Sequence, residues 1–301
     1  MTSTKTKALD KKIVCFGEML WDVFPKEKIA GGAPMNVALH LHHMKADVVF
    51  ISRVGNDQDG QELTDIVRGH GLPTLDIMID PSLPTGKVLV NDRDKENIRY
   101  DIVRPSAWDN IEWNEGLQQK VDQADAFLFG SLAAREERSR KSLLQFLKTD
   151  TLKIFDINLR APFYSFELLQ ELLSHTDILK LNEEELQTLI DFHGFPQDTM
   201  TALDKMAALY DLEVICVTKG KNGAGLFIED EFFNHPGYPV TVQDTVGSGD
   251  AFLSAFVINF LEGKNPEQLL DEACALGALV ATRKGGTPKY NKEDIERIKG
   301  K

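Results

Sequence analysis

Short apolar runs alternate with helical runs along most of this 301-residue chain. The apolar runs predict buried strands at residues 13–17, 48–51, 126–129, 153–156, 178–181 and 214–217. Apolar residues at helical spacing predict helices at residues 31–44, 58–70, 137–148, 166–174, 183–192 and 201–210. Strands that alternate with helices in this way predict a mostly parallel central sheet covered by helices on both faces, which is a three-layer α/β fold.

Two segments interrupt this alternation, at residues 18–30 and 85–104. Neither has helical periodicity, and the second has a hairpin pattern, with two apolar stretches around a charged turn at residues 92–96. We interpret both as insertions that form a small β layer, suited to serve as a lid, in a single domain of residues 13–299. Residues 1–12 are polar and basic and predict a flexible N-terminal tail rather than a signal peptide.

Composition excludes several classes of partner. A net charge of −13 disfavours nucleic acid and anionic membranes, and no apolar run approaches the ~20 residues that a membrane span needs. An anionic small molecule is still compatible, because backbone N–H groups can bind phosphate on an acidic protein. Cys15 and Cys216 lie inside apolar runs and are interpreted as core residues, so the three cysteines predict no disulfide framework and a cytoplasmic protein.

The segment at residues 244–252 carries the strongest chemical signal. It places two glycines and an aspartate before a run, residues 253–261, that is apolar apart from Ser254 and Asn259. A helix that is apolar on every face is buried, and the unpaired N–H groups of its first turn need an acceptor. Glycines there let an anion approach the backbone closely, so the pattern predicts an anion site at the start of a buried helix.

Asp250 falls one turn into that predicted anion site. A carboxylate in this place can accept the proton of a substrate hydroxyl, and in a loose phosphoryl-transfer transition state its orientation matters more than its basicity. The alternative interpretation is an acidic helix cap worth ~1 kcal/mol. That interpretation explains the aspartate but not the glycine pair before it, so we favour a catalytic carboxylate.

The same segment, residues 244–250, resembles the second signature of the ribokinase-like, or phosphofructokinase-B type, sugar kinases. Residues 31–38 resemble the first signature of that family. Further segments follow in the family order at residues 156–160, 182–185, 217–220 and 282–286. The resemblance covers residues 13–288 and implies a ribokinase-like three-layer fold and ATP-dependent phosphorylation of a sugar, most like a fructokinase.

The resemblance assigns roles to individual positions. It implies that Asp250 is the catalytic base and that Gly247, Ser248 and Gly249 form the anion hole. The sugar-binding positions are Asp22, Gly32, Asn36, Arg104 and Arg160. The nucleotide-binding positions are Asn182, Thr218, Gly220, Gly223 and Gly249. Asn182 and Glu185 match the pair that organises Mg²⁺ and the ATP phosphates, but asparagine followed three residues later by glutamate is also close to a capping box, and both interpretations stay open.

Family members often bind a monovalent cation beside the second signature, so the resemblance also implies a K⁺ site near Asp244, Val246 and Gly285. The apolar residues Val88, Val90 and Ile98 of the lid predict an exposed face that pairs with a second copy of the chain, which gives a homodimer.

Competing functions are separated by particular residues. A non-catalytic sugar-binding relative would be expected to lose the base or a glycine of the anion hole, whereas Asp250, Gly247 and Gly249 are all present. An NAD-dependent oxidoreductase needs a glycine-rich turn after the first strand, but Gly17 is followed by Glu18-Met19-Leu20. Among sugar kinases, fructose is the first candidate substrate, and 2-keto-3-deoxygluconate, ribose and a nucleoside stay open.

Overall fold

The computed structural model describes residues 11–91 and 99–300, which form two β-sheets and the helices that cover them. The strands are β1 (Lys12–Phe16), β2 (Leu20–Val23), β3 (Lys28–Gly31), β4 (Asp47–Gly55), β5 (Ile77–Asp80), β6 (Gly86–Asn91), β7 (Arg99–Ile102), β8 (Ala126–Gly130), β9 (Leu152–Asp156), β10 (Ile178–Asn182), β11 (Val214–Thr218), β12 (Ala224–Ile228) and β13 (Glu231–His235). The helices are α1 (Ala33–His43), α2 (Gln58–Gly69), α3 (Glu115–Asp122), α4 (Glu137–Phe146), α5 (Phe166–Leu173), α6 (Glu183–His193), α7 (Thr199–Tyr210), α8 (Ser248–Leu261), α9 (Pro266–Ala281) and α10 (Lys292–Ile298). Most of the predicted tail, residues 1–10, and the predicted turn at 92–96 lie outside the described residues.

The larger sheet has nine strands in the order β13-β12-β11-β10-β9-β8-β1-β4-β5. Its strands from β11 to β5 pair in parallel, and β12 and β13 add an antiparallel hairpin at one edge. The six predicted strands all lie in the parallel part. The edge strands β5 and β13 were not predicted, because an edge strand carries a weaker apolar signal than a central one. β12 was also missed, although it lies between two strands and all but its last residue are buried.

Helices cover both faces of this sheet. On β1, Ile13 and Cys15 pack in a core with α1, α8 and α9, whereas Val14 and Phe16 pack in a second core with α4 to α7. Strand side chains alternate between faces, so one strand contributes to both cores. The three-layer fold is therefore confirmed, and the cysteines are buried free thiols. None of the helices in the described part of the chain has the length and apolar character that crossing a bilayer requires.

Helix α8 is the buried helix that the sequence predicted. Every residue from Ala251 to Asn259 is buried, and α8 packs between α1 and α9. Its first turn lies where β10 and β11 end, since Lys180 of β10 and Thr218 of β11 line cavities together with Gly249. The fold thus places the glycine-rich turn at the carboxyl edge of the parallel strands, where ligands of open α/β sheets bind.

Helix α1 begins two residues later than predicted. Gly31 is the last residue of β3, where it pairs with Leu20. Gly32 follows with φ of 114°, a conformation that favours glycine and cannot belong to a right-handed helix. A Cβ on Gly32 would lie 2.5 Å from the carbonyl oxygen of Glu18, so the chain needs glycine here for close packing as well.

The second sheet has four strands in the order β3-β2-β6-β7, drawn from the two segments that interrupt the alternation. The residues predicted to form an exposed apolar face for dimer formation were wrong. Val88 and Val90 are only 6% and 5% exposed, because their face of the sheet packs against the chain's own core. Leu89, at 45%, and Tyr100, at 62%, are the large side chains that this sheet exposes instead. Ile98 lies outside the described residues.

Candidate active site

A cavity of about 570 Å³ lies between the small sheet and the start of α8. Leu20, Val88 and Ile102 of the small sheet form one wall. The rest of the lining includes residues that the sequence analysis singled out, namely Asp22 of the same sheet and Gly32, Asn36, Arg160, Val246, Gly247, Gly249 and Asp250. Four of the five predicted sugar-binding positions therefore surround one space together with the predicted base.

The first turn of α8 carries no side-chain cap. Gly247 is the N-cap residue, with φ of 74°, and none of the nearby side chains accepts a hydrogen bond from the turn. Apart from the Ser248 N–H, which donates to the carbonyl oxygen of Thr245 at 3.3 Å, the backbone N–H groups of this turn and the positive end of the helix dipole can therefore meet an anion in the cavity region. A Cβ on Gly247 would lie 2.4 Å from both the Cα and the carbonyl oxygen of Gly286, so this turn is packed directly against the segment after α9.

Asp250 is held by a residue of another helix. Asn36 Nδ2, on α1, donates a hydrogen bond of 2.8 Å to Asp250 Oδ2. Burial raises the pKa of Asp250 to about 6, and the hydrogen bond from Asn36 opposes that rise. The other carboxylate oxygen stays available to accept a proton from a ligand in the cavity.

Glu18 and Asp22 bring two further carboxyl groups into the same cavity. Burial raises the pKa of Glu18 to about 7 and the pKa of Asp22 to about 6. The positive charge of Arg160 opposes this rise in the pKa of Glu18, Asp22 and Asp250 but does not cancel it. The cavity therefore combines three carboxyl groups with one shared arginine, an arrangement suited to the hydroxyl groups of a neutral polyol.

A second cavity, of about 480 Å³, lies on the other side of the α8 turn. It is lined by the predicted nucleotide-binding positions Thr218, Gly220, Gly223 and Gly249. Val240, Val242 and Phe252 add apolar walls, which suit a flat aromatic ring. Thr245 and Gly249 line both cavities, so the two spaces meet at the glycine-rich turn.

Asn182 and Glu185 lie outside the lining of both cavities and form a capping box. Asn182 Oδ1 accepts from the Glu185 N–H at 2.9 Å, and Glu185 Oε2 accepts from the Asn182 N–H at 2.9 Å. Glu185 Oε1 also accepts from the N–H of Leu159 at 2.8 Å. The capping interpretation is confirmed, and Glu185 additionally ties α6 to the segment after β9.

Arg104 is the one predicted sugar-binding residue that does not line the cavity. Its side chain is 62% exposed, and its guanidinium lies 3.6 Å from the carboxylate of Glu136. It also lies 5.9 Å from the ring centre of Phe163. The structure therefore leaves Arg160 as the single arginine in the cavity lining.

The three residues predicted for a monovalent cation lie together. Asp244 Oδ1 accepts from the Val246 N–H and Asp244 Oδ2 accepts from the Gly285 N–H, each at 3.0 Å. The carboxylate thereby joins the turn before α8 to the segment after α9. In the described residues there is no cluster of three or more His, Cys, Asp or Glu side chains with metal-ligand geometry.

Comparison with known proteins agrees with this geometry. The model of the pfkB family of carbohydrate kinases matches residues 9–293. The chain belongs to this family. As a carbohydrate kinase, it is similar to Fructokinase-1 of Oryza sativa subsp. japonica, with 28% identity over 95% of this chain and 96% of that protein. It is similar to the same degree to Fructokinase-1 of Zea mays, over 93% of this chain and 95% of that protein.

Solved structures show the same fold as this carbohydrate kinase. An uncharacterized sugar kinase from Pyrococcus horikoshii has a TM-score of 0.81 and 26% identity, over 96% of this chain and all of that chain. A fructokinase from Xylella fastidiosa, solved with bound ATP, has a TM-score of 0.82 and 23% identity, over 96% of this chain and 98% of that chain. A fructokinase from Vibrio cholerae, solved with fructose, ADP and potassium ion, has a TM-score of 0.82 and 23% identity, over 97% of this chain and 99% of that chain.

Sequence reasoning missed two charged groups of the kinase's cavity. Glu18 is 3% exposed, and within residues 11–91 and 99–300 its Oε2 has no hydrogen-bond partner. Lys180 is buried in β10, where its Nζ lies 2.9 and 3.0 Å from the two carboxylate oxygens of Asp156. A lysine inside an apolar strand was a signal that could have been read, because a buried lysine needs a partner. Glu18 gave no comparable signal, since it follows the strand where exposed acids are common.

Proposed function

We propose that this carbohydrate kinase transfers the γ-phosphoryl group of ATP to a primary hydroxyl of a neutral sugar, with fructose as the first candidate. The observation that carries the proposal is the meeting of two cavities at the α8 turn, with Asp250 on one side and the Thr218 strand end on the other. ATP in one cavity and the sugar in the other would then meet at the N–H groups of the turn. The relatives named fructokinases support fructose, and the Vibrio cholerae structure contains fructose with ADP.

In this mechanism the sugar hydroxyl oxygen attacks the γ-phosphorus, and the bond from that phosphorus to the oxygen of ADP breaks. The hydroxyl proton passes to Asp250, which Asn36 holds in place. The N–H groups of Gly247, Ser248 and Gly249 stabilise the charge on the transferring phosphoryl group. Asp22 and Arg160 orient the sugar, and closure of the small sheet would exclude water as a competing acceptor.

A sugar acid fits the cavity less well. The ligand 2-keto-3-deoxygluconate carries a carboxylate, and the cavity already holds the carboxyl groups of Glu18, Asp22 and Asp250. Lys180 also lines the cavity, but its charge is paired with Asp156, and Arg104 lies outside the lining, so among the described residues Arg160 is the main compensating positive charge. Repulsion between the ligand's carboxylate and the carboxyl groups of the same cavity disfavours binding, so the lining supports a neutral sugar over a sugar acid.

We therefore expect fructose to have the highest kcat/KM in an ATP-coupled assay with fructose, ribose, 2-keto-3-deoxygluconate and adenosine. The sugar acid should be at least about 10-fold poorer than fructose, a difference of about 1.4 kcal/mol. A second measurement at high salt should narrow the gap, because salt screens the repulsion. A preference for 2-keto-3-deoxygluconate would contradict the charge argument, and phosphorylation of none of the four would contradict the proposed function.

Asp22→Ala should raise the apparent KM for the sugar by about 10-fold or more while the KM for ATP changes less than about twofold. The reason is that Asp22 lines the sugar cavity and not the second one. Asp101→Ala is a matched control, because Asp101 lies exposed on β7 of the same sheet and outside both cavity linings. Steady-state kinetics with each substrate varied in turn would test this, and equal changes in both KM values would remove Asp22 from the sugar site.

Near Glu185, a divalent ion would be bound by waters and by the phosphates of ATP rather than directly by several side chains. Glu185 already binds two backbone N–H groups, and each carboxylate oxygen keeps a further lone pair for a water. We propose Mg²⁺, which retains several waters and would neutralise phosphate charge during transfer. The K⁺ interpretation of the segment around Asp244 is a companion proposal, since its carboxylate accepts from the N–H groups of Val246 and Gly285 and so holds the two loops together there.

Removal of the divalent ion with EDTA should abolish turnover, and Glu185→Gln should raise the Mg²⁺ concentration that half-activates the enzyme. Glu184→Gln provides the control, because Glu184 is an exposed neighbour in the same helical turn. The glutamine at 185 would also turn an amide N–H toward a backbone N–H, so unfolding must be monitored in parallel. Overlapping Mg²⁺ titrations of a folded Glu185→Gln and the wild type would contradict a metal-linked role for Glu185.

We also propose a homodimer joined through the outer face of the small sheet, now on the basis of Leu89, which is 45% exposed there. Tyr100 pairs with Val90 on the opposite face and lines the sugar cavity. Sedimentation at micromolar concentration should give twice the 33.7 kDa of one chain. A monomer would contradict this assembly and leave the kinase proposal unaffected.

A further inference from the structure

Helix α1 contacts both sides of the glycine-rich turn through two side chains one turn apart. Asn36 donates to Asp250, as described above, and His40 Nε2 lies 2.9 Å from the carbonyl oxygen of Gly286. Residues four apart on a helix lie on the same face. His40 is only 2% exposed and does not line either cavity, so it cannot contact a substrate.

The hydrogen bonds of His40 determine its tautomer. The Gly286 carbonyl can only accept, so His40 Nε2 must carry the proton and donate. His40 Nδ1 lies 3.1 Å from the hydroxyl of Tyr290. Burial lowers the pKa of His40 to about 4, so the ring is neutral near pH 7 and Nδ1 accepts from Tyr290.

Gly286 is packed against the amide of Asn36 and against Gly247, the N-cap residue of α8. A Cβ on Gly286 would lie 2.8 Å from Asn36 Nδ2, the atom that holds Asp250. Gly286 also lies against Gly247, so closely that a Cβ on Gly247 would fall 2.4 Å from the Cα and the carbonyl oxygen of Gly286. A shift of Gly286 would therefore displace the N-cap of α8, the Asn36 amide, or both.

The far end of the same segment is also held by α1. His43 Nε2 lies 2.6 Å from the carbonyl oxygen of Tyr290, and the two rings contact edge to face at 4.4 Å. The rings of His40 and Tyr290 stack at 5.7 Å. Residues 286 and 290 are thus anchored at two successive turns of one helix, which makes the segment between them a defined wall.

We propose that His40 is a positioning residue, which holds Gly286 against Gly247 and so sets the geometry between the anion hole and Asp250. This inference rests on the proposed function, because it assigns the α8 turn to phosphoryl transfer. Loss of the His40 donor should affect the transition state more than the binding of either substrate, since the substrates also make contacts far from this turn.

The test compares His40→Phe, which removes the donor, with His40→Gln, whose amide nitrogen can replace Nε2. We expect kcat of His40→Phe to fall by about 10- to 100-fold, the range that a small misplacement of catalytic groups causes, with both KM values changed less than about threefold. His40→Gln should recover kcat to within a few-fold of the wild type. His42→Phe is the control, because His42 lies on the same helix beside Gly71 and away from this segment. Equal kcat losses in the phenylalanine and glutamine variants of His40, or no loss in either, would overturn the proposal.

A second measurement does not depend on activity. A long-range ¹H–¹⁵N spectrum of the wild-type imidazoles at pH 7 should show His40 as a neutral ring with the proton on Nε2, and Tyr290→Phe should shift its Nδ1 resonance. A proton on Nδ1, or a charged ring, would overturn the proposal even where His40→Phe does not fold. Absence of sugar phosphorylation by the wild type would instead contradict the proposed function and leave the tautomer result intact.

Discussion

Asp250→Asn lowers turnover by about 10²-fold or more, with folding and ATP binding nearly unchanged, if the carboxylate accepts the sugar proton. Asparagine keeps the size of the side chain and can still meet Asn36, but it cannot take up a proton. The measurement is kcat with the best sugar, together with thermal unfolding and ATP titration of the variant. Near-normal turnover in the folded variant would exclude Asp250 as the base.

Asp250→Asn also removes a negative charge from the first turn of α8, where it favours the helix dipole. Glu267→Gln is the control for that effect on stability. Glu267 is an exposed acid in the first turn of α9, so its replacement removes a comparable favourable charge far from the α8 turn. We expect this control to lose at most about 1 kcal/mol of stability and to keep full activity. A matching loss of activity in the control would show that the Asp250 result reports helix stability.

The pH dependence of kcat/KM gives an independent check on Asp250. A base must be ionised to act, and burial raises the pKa of Asp250 to about 6. We therefore expect kcat/KM to fall as the pH decreases through about 6, with Glu18 contributing at slightly higher pH because its pKa is about 7. A flat profile down to pH 5 would contradict a base with this environment.

Gly247→Ala should abolish measurable turnover, or lower it by at least about 10²-fold, and should also destabilise the protein. Two costs combine at this position. The left-handed backbone of Gly247, with φ of 74°, disfavours any side chain, and the new Cβ would overlap the backbone of Gly286. Backbone on both sides must move to relieve that overlap, and the moving backbone includes the proposed anion hole.

Gly263→Ala separates these two costs. Gly263 has φ of 71°, close to that of Gly247, but apart from its chain neighbours no atom of the described residues lies within 4 Å of its hypothetical Cβ. This control should lose about 1–2 kcal/mol of stability from the backbone conformation alone and keep full activity. Turnover and thermal unfolding of both variants would be compared. An active Gly247→Ala, no less stable than Gly263→Ala, would show that the contact with Gly286 does not position the turn.

Local sequence determined the elements of this fold that depend on continuous apolar patterning. The six central strands and the buried α8 could be predicted because each is buried on nearly every face, which leaves mostly apolar residues in the run, with exceptions such as Lys180 of β10 and Ser254 of α8. The edge strand β13 and the start of α1 could not be predicted in the same way. A strand at the sheet edge alternates weakly, and the end of β3 depends on pairing with β2.

The predicted face of the small sheet shows why a pattern alone is insufficient. Val88 and Val90 mark an apolar face, but sequence cannot say whether the chain's own core or a second copy covers it. Arg104 is a similar case. Its position in the resemblance suggested the sugar site, whereas the tertiary structure directs its side chain toward Glu136.

By itself, the sequence determined the fold class, the family resemblance and the glycine-rich turn with Asp250, because these depend on residues adjacent along the chain. Only the tertiary structure decided which distant residues meet there. Asn36 reaches Asp250 across 214 positions, and His40 reaches Gly286 across 246. Through the same long-range packing Glu18 becomes a buried carboxyl group whose Oε2 has no hydrogen-bond partner among the described residues. Such contacts depend on how the helices pack on the sheet, and a local pattern of residue types does not predict that packing.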